Sequence, residues 1–166
     1  SIPFDPMSSP PAQPQHFPYT LGIFKPDISR DTDAVLDIMR LVAEDGLCVV
    51  NDDCKIMQLP REIAEQLYAE HKGKPFYEGL IDFMTSGPIY VLALAFLEGG
   101  APVTPWRDIV TFARRKYAIP GGPRNAVHGS DSMESARREI ALFFTSSESP
   151  NALRPEVKNS PLNPTA

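Results

Sequence analysis

The sequence predicts a mixed α/β domain of the split βαβ type, with helices laid on one face of an antiparallel sheet. Three observations predict it. Two apolar runs, Tyr19 to Phe24 and Ile89 to Leu97, read as buried strands, and segments with helical spacing of apolar residues lie around them. Proline marks the ends: ten of the 18 fall in residues 1–18 or 150–166, where too little apolar periodicity remains to offset the entropy of ordering. A single folded domain is therefore expected over residues 19–145, between a proline-rich tail (1–18) and a proline-containing tail (146–166).

The first strand, Tyr19 to Phe24, stops at Lys25-Pro26-Asp27, because proline ends a run that needs its N–H. Asp33 is then placed to cap a helix with apolar positions Val35, Leu36, Met39, Val42 and Ala43, and Gly46 ends it. Leu47 to Met57 reads as one strand. Cys48, Val50, Cys54 and Ile56 share one parity and Asn51, Asp53 and Lys55 the other. Arg61 to Glu70 and Phe76 to Met84 read as a helical hairpin, with Ile63, Ala64, Leu67, Leu80, Phe83 and Met84 turned inward. Ser86-Gly87-Pro88 breaks it ahead of the central strand. Val103 to Ala113 reads as a short helix with looser patterning. Met133, Ala136, Ile140 and Phe144 place a last helix on the core.

Composition narrows the function classes. The 166 residues suit one core, and 42% apolar with 22% charged residues is an ordinary globular balance. A net charge of −5 disfavours general attraction to nucleic acid or anionic membrane. Nucleic-acid binding would rest on the arginines between Arg107 and Arg124 alone. Cys48 and Cys54 read as buried thiols of a reducing compartment, without a metal-ligand cluster. No apolar run is long enough to span a membrane, a secretory leader is not expected, and neither tail has the character of a transit peptide. A cytoplasmic location is expected, with the mitochondrion as the alternative.

The chemistry concentrates at His128-Gly129-Ser130-Asp131, just ahead of an expected helix start at Ser132 to Ala136. Exposed N–H groups at a helix start favour anions, and a neutral imidazole can accept a group covalently. His16 and His71 lack such surroundings. Lys25, at a strand end, either holds a phosphate as a point charge or is simply solvated. Tyr68 and Phe76 either stack on a base and face the histidine, or pack a hairpin, which is the reading that spacing alone favours. Arg107, Arg114, Arg115, Lys116 and Arg124 gather ahead of His128 and suit phosphate oxygens as a cluster. Asn125 serves a sugar hydroxyl, a phosphate or a turn. Glu139 either orients the imidazole or sits on a helix surface. Walker, Gly-x-Gly-x-x-Gly and Gly-x-Ser-x-Gly motifs are absent, so a bound nucleotide would lie among arginines and aromatics.

Taken together, four segments resemble a nucleoside diphosphate kinase: Phe24-Lys25-Pro26-Asp27, Tyr68 through Lys74-Pro75-Phe76-Tyr77, Ser86-Gly87-Pro88, and Arg124-Asn125-Ala126-Val127-His128-Gly129-Ser130-Asp131-Ser132 with Glu139-Ile140. The stretch from Tyr68 to Tyr77 looks most like the divergent type-six branch. The resemblance implies a ferredoxin-like sandwich, a four-stranded antiparallel sheet covered by helices. It implies ping-pong transfer of the γ-phosphoryl of ATP, carried with magnesium, through His128 to a nucleoside diphosphate. By the same matches Lys25, Asn125 and Arg107 contact phosphates or ribose, and Phe76 stacks on the base. Tyr68 lies beside the histidine, Glu139 orients it, and Ser130 sits near the transferred phosphate. No protein ligand binds the metal directly. The chain departs from the family in one place. Only Asp108 to Ala113 separates Arg107 from Arg114-Arg115, where members carry a longer segment with a phosphate-binding threonine and a projecting loop. Thr111 has no clear match to that threonine, and either Arg114 or Arg115 completes the phosphate clamp. A homo-oligomer is expected, of a size the short loop leaves open. The alternative to a kinase is a weak or inactive scaffold acting through protein partners.

Overall fold

The computed structural model describes residues 17–50 and 55–144. Most of both tails, with His16, Asn51, Asp53 and Cys54, lies outside the described residues. Phe17, ahead of the expected boundary, is already buried, its ring edge-on to Tyr19 at 5.6 Å.

Strand β1 (Tyr19–Phe24) is buried at every position and pairs antiparallel with β4 (Pro88–Phe96), the longest strand. Both are apolar on both parities, so both faces of the sheet must be covered. They are. Leu21, Ile23, Ile89, Val91 and Ala93 face one cluster with Leu67, Leu80, Ile81, Met84 and Ile140. Phe24, Leu92 and Leu94 face the other with Ile38, Val42, Trp106, Ile109 and Val110. The expectation of helices on one face is thus corrected, whereas the α/β class with an antiparallel sheet holds.

Helix α1 (Thr32–Glu44) is capped by Asp31, whose carboxylate accepts from Ala34 N at 3.1 Å, not by Asp33. Ala34, Ile38 and Val42, spaced by four, form the stripe packed on the sheet, and Leu36 is exposed. Gly46, at φ 76°, ends the helix as expected.

The expected strand over Leu47 to Met57 is two strands, β2 (Leu47–Val49) and β3 (Lys55–Gln58), both on one edge of β4. Leu47 lies opposite Phe96 and Lys55 opposite Val91, so eight steps along this edge span five on β4. An odd excess reverses the side-chain parity. Met57 therefore packs on the core and Ile56 is turned to solvent, the opposite of the single-strand reading. The sheet has five strands but only four positions across, β2/β3-β4-β1-β5.

Helices α2 (Arg61–Leu67) and α3 (Tyr77–Met84) form the expected hairpin, joined through a 3₁₀ turn (Ala69–His71). Helix α4 runs unbroken from Val103 to Tyr117, longer than expected, with Val103, Trp106, Val110 and Ala113 buried on one stripe. Helix α5 (Met133–Phe143) is capped by Ser132, which accepts from Ser135 N at 3.0 Å.

Strand β5 (Val127–Gly129) was not foreseen. It pairs with β1, His128 opposite Ile23, and forms the far edge of the sheet. Trp106 of α4 packs under this edge with no solvent exposure. A Cβ on Gly22 would stand 2.7 Å from Trp106 Cζ2, and one on Gly129 would stand 2.8 Å from its Nε1. Only glycine lets indole and backbone meet this closely. Gly22→Ala should therefore destabilise the fold by about 1–3 kcal/mol through overpacking. Urea unfolding checks this as a lower midpoint with an unchanged slope, and an unmoved midpoint would free Gly22 of the constraint.

Candidate active site

His128 stands mid-way along β5 because its neighbours are held from both sides. Toward β1, Lys25 N donates to Ala126 O at 2.8 Å and Ser130 N to Leu21 O at 3.4 Å. Toward α4, the outward carbonyls of the edge strand accept from arginines: Arg114 Nε reaches Val127 O at 3.2 Å and Arg107 Nη1 reaches Gly129 O at 3.1 Å. Seven residues are close to two helical turns, so one face of α4 carries both guanidinium groups. They cap the free sheet edge and remain beside His128.

The strand is entered through a strained residue. Ala126, fully buried, has φ 69°, a left-handed conformation that an L side chain resists. It is held there by Lys25 N on its carbonyl and by Asp27, whose Oδ2 accepts from Ala126 N at 3.0 Å. Burial raises the Asp27 pKa above the ordinary carboxylate value, against the opposing pull of that backbone hydrogen bond.

Glu139 projects from α5 onto the imidazole, and its Oε1 is hydrogen-bonded to His128 Nε2. At 2% exposure this is a buried carboxylate and not a helix-surface one. With the carboxylate as acceptor, Nε2 carries the proton and Nδ1 keeps its lone pair. Nδ1 has no hydrogen-bond partner among the described residues.

Tyr68, at the end of α2, sets its ring edge-on to His128, centroids 5.7 Å apart at 90°. Its hydroxyl is buried and has no hydrogen-bond partner among the described residues. Burial first, and then the Glu139 charge, raise its pKa, so the phenol stays protonated. Lys25 is 3% exposed, and its Nζ donates to Asn125 Oδ1 at 2.5 Å. Desolvation, with repulsion from Arg114, lowers its pKa to about 8. Burial and Arg107 likewise lower that of Arg114. Four cations, Lys25, Lys74, Arg107 and Arg114, gather here with three carboxylates, Glu70, Asp131 and Glu139.

These groups open on one cleft of about 890 Å³. Lys25, Arg107, Arg114, Asn125 and His128 line its floor, Phe76 stands at its wall and 52% exposed, and Gly121-Gly122-Pro123 forms another side. Not all the expected residues arrive. Arg115, one position past Arg114 and about 100° round the helix, is exposed and does not line the cleft. Ser130 is turned into the sheet, where its Oγ accepts from Leu21 N at 3.3 Å, and is not part of the cleft wall. Thr111 donates to Arg107 O at 3.0 Å along the helix surface. Sequence reasoning passed over His71, which the structure places in the cleft, its ring stacked on Tyr68. The signal was present: three residues after Tyr68 and five before Phe76, across a tight turn.

The family model described as nucleoside diphosphate kinase matches residues 18–149. The chain belongs to the nucleoside diphosphate kinase family. It is 46% identical over 103 residues to a nucleoside diphosphate kinase of Desulforamulus reducens, covering 57% of this chain and 67% of that one. With the Staphylococcus epidermidis enzyme it shares 40% over 138 residues, covering 78% and 89%. The structure of the Aquifex aeolicus nucleoside diphosphate kinase superposes with a TM-score of 0.65 at 28% identity, covering 79% of this chain and 97% of that one. A halophilic nucleoside diphosphate kinase from Halobacterium salinarum, solved in complex with CDP, gives 0.63 at 32% identity, covering 78% and 89%. The phosphotransferase class and the ferredoxin-like fold read from the sequence both stand. Among the described residues, no helix is long and apolar enough to cross a membrane.

The kinase-family site carries one electrostatic signature. Between pH about 8 and 10.5 the unfolded state holds a proton on Lys25 that the folded state has released. Stability contributed by this group must rise with pH across that window. Wild type should gain stability relative to Lys25→Met as pH is raised through it, read as diverging urea midpoints. Parallel curves would contradict the burial-driven shift.

Proposed function

We propose that the protein is an active nucleoside diphosphate kinase in which His128 carries the phosphoryl group between two nucleotides. The observation that supports it most is the pairing of buried Glu139 with His128 Nε2, which leaves Nδ1 as the nucleophile beside a cationic cleft. A nucleoside triphosphate would lay its base on Phe76 and its phosphates along Arg107, Arg114, Lys25 and Asn125. The Nδ1 lone pair attacks the γ-phosphorus, the bond to the bridging oxygen breaks, and the nucleoside diphosphate leaves with that electron pair. A second diphosphate then attacks the phosphohistidine with its terminal oxygen, and the imidazole recovers its lone pair. Glu139 holds the Nε2 proton throughout and stabilises the positive charge that the ring takes on.

The phenol of Tyr68 is free to donate to a phosphate oxygen, which would satisfy a buried hydroxyl that lacks a partner among the described residues. Because recognition rests on stacking and phosphate contacts, discrimination between bases should be weak. Magnesium fits this site as a passenger on the nucleotide, for the phosphate end is built of lysine and arginine nitrogens, and the Asp131 carboxylate is held by Ser132 and Ser135. Glu139, the buried carboxylate there, already holds the histidine. Bound to the phosphates, the ion would neutralise their charge.

Arg107 and Arg114 on one unbroken helix supply the clamp that longer family members complete with an added segment, which favours an enzyme over a scaffold. Incubation with γ-labelled ATP and magnesium should place acid-labile label on the protein, and GDP should remove it as labelled GTP. His128→Ala should abolish labelling and lower exchange by at least about 10³-fold while leaving the fold intact. Exchange that persists in that variant would exclude His128 as the carrier.

A further inference from the structure

We propose that His71 is a positioning residue that holds Phe76 as the platform for the nucleoside base. The proposal rests on the nucleotide-binding reading of the cleft and adds a residue to it.

Phe76 sits just ahead of α3, its ring 52% exposed and outside the core clusters. An exposed phenyl on a loop samples several rotamers, and a platform that must first be fixed binds with an entropic penalty. His71, in the 3₁₀ turn, supplies the fixing contact: its ring meets Phe76 with centroids 5.3 Å apart at 60°. On its other side it stacks on Tyr68 at 6.2 Å and 25°. Tyr68 is anchored in the core at 5% exposure. His71 thus joins a fixed aromatic to a loose one. Lys74 Nζ lies 3.2 Å from His71 Nδ1 and 5.8 Å from the Phe76 ring, and so holds the imidazole in this orientation. Phe76, His71, Tyr68 and His128 then make a chain of ring contacts from the rim of the cleft to its floor.

The role is separable from the phosphate cations, because the ring contact needs an aromatic edge and the Lys74 contact needs a nitrogen. Binding of ADP and of inorganic pyrophosphate to the full chain distinguishes them by calorimetry. His71→Ala should weaken ADP binding about three- to tenfold, the worth of one aromatic pair, and leave pyrophosphate binding unchanged. His71→Phe restores the ring edge without the nitrogen and should return ADP binding toward wild type. In exchange assays His71→Ala should raise KM and spare kcat. Equal weakening of ADP and pyrophosphate would assign His71 to the phosphate end, and failure of His71→Phe to rescue would exclude the platform role. A loss of kcat at unchanged KM would also overturn it. If ADP binds nowhere in this cleft, wild type and both variants will show no competition between ADP and pyrophosphate. That result overturns the nucleotide-binding reading and the platform role with it, whereas competition in wild type with ADP binding unchanged in His71→Ala would overturn the platform role alone.

Discussion

A buried carboxylate on a histidine ring organises this molecule. Glu139 is out of water, and a buried charge without a partner is strongly unfavourable. His128 Nε2 supplies the partner, and in doing so both ring rotation and tautomer are fixed. The pair comes from two consecutive elements, a strand at the edge of the sheet and a helix on its face. Helix α5 packs on one face through Ala136 and Ile140, while β5 is fastened to β1 and backed by Trp106 from the opposite layer. Any slip of either layer would separate ring from carboxylate. The dense packing around Gly22 and Gly129 thus bears directly on the chemistry.

A second constraint follows from where β5 lies. An edge strand presents unpaired carbonyls, which proteins must cover. Here the cover is functional, because the arginines that accept this task are the ones that line the phosphate end of the cleft. Both come from a single helix. The short segment between Arg107 and Arg114 is what allows that, since two turns of unbroken α4 bring both guanidinium groups to alternate carbonyls of one strand. Strain at Ala126, restrained by Asp27 and Lys25, sets the angle at which the strand enters. Cations and backbone geometry are therefore one system, and Lys25 takes part in both through its backbone N–H and its side chain.

Much of this was legible from residue patterns alone. The two long apolar runs gave β1 and β4, and the 3.6-residue spacing after Ser132 gave α5. The gathering of lysine, arginine, asparagine and histidine around His128 points to phosphate chemistry on residue type alone. What stayed hidden has physical causes. Strand β5 is three residues long, opens after a left-handed alanine and closes on glycine, so it shows no period. The parity reversal between Cys48 and Met57 depends on extra chain length along the edge, which alternation cannot register. One-sided cover was expected from the order of elements, although β1 and β4 are apolar on both parities, the pattern that calls for cover on both faces. Ser130 and Arg115 carried the right chemistry in the wrong direction: one is drawn into the sheet by Leu21 N, the other rotated about 100° off the cleft face. His71 was passed over because its meaning is spatial, set by a turn that folds Tyr68 and Phe76 onto it.

The claim on which everything else rests is that Glu139 leaves Nδ1, and not Nε2, free to react. The position of the phosphoryl group on the ring tests it directly. Nitrogen and phosphorus NMR of the protein phosphorylated by ATP, with ring nitrogens labelled, distinguishes the two isomers. The account predicts phosphate on Nδ1 and a retained Nε2 proton hydrogen-bonded to Glu139. Phosphate on Nε2 would contradict it, because that nitrogen could react only after the buried pair had come apart.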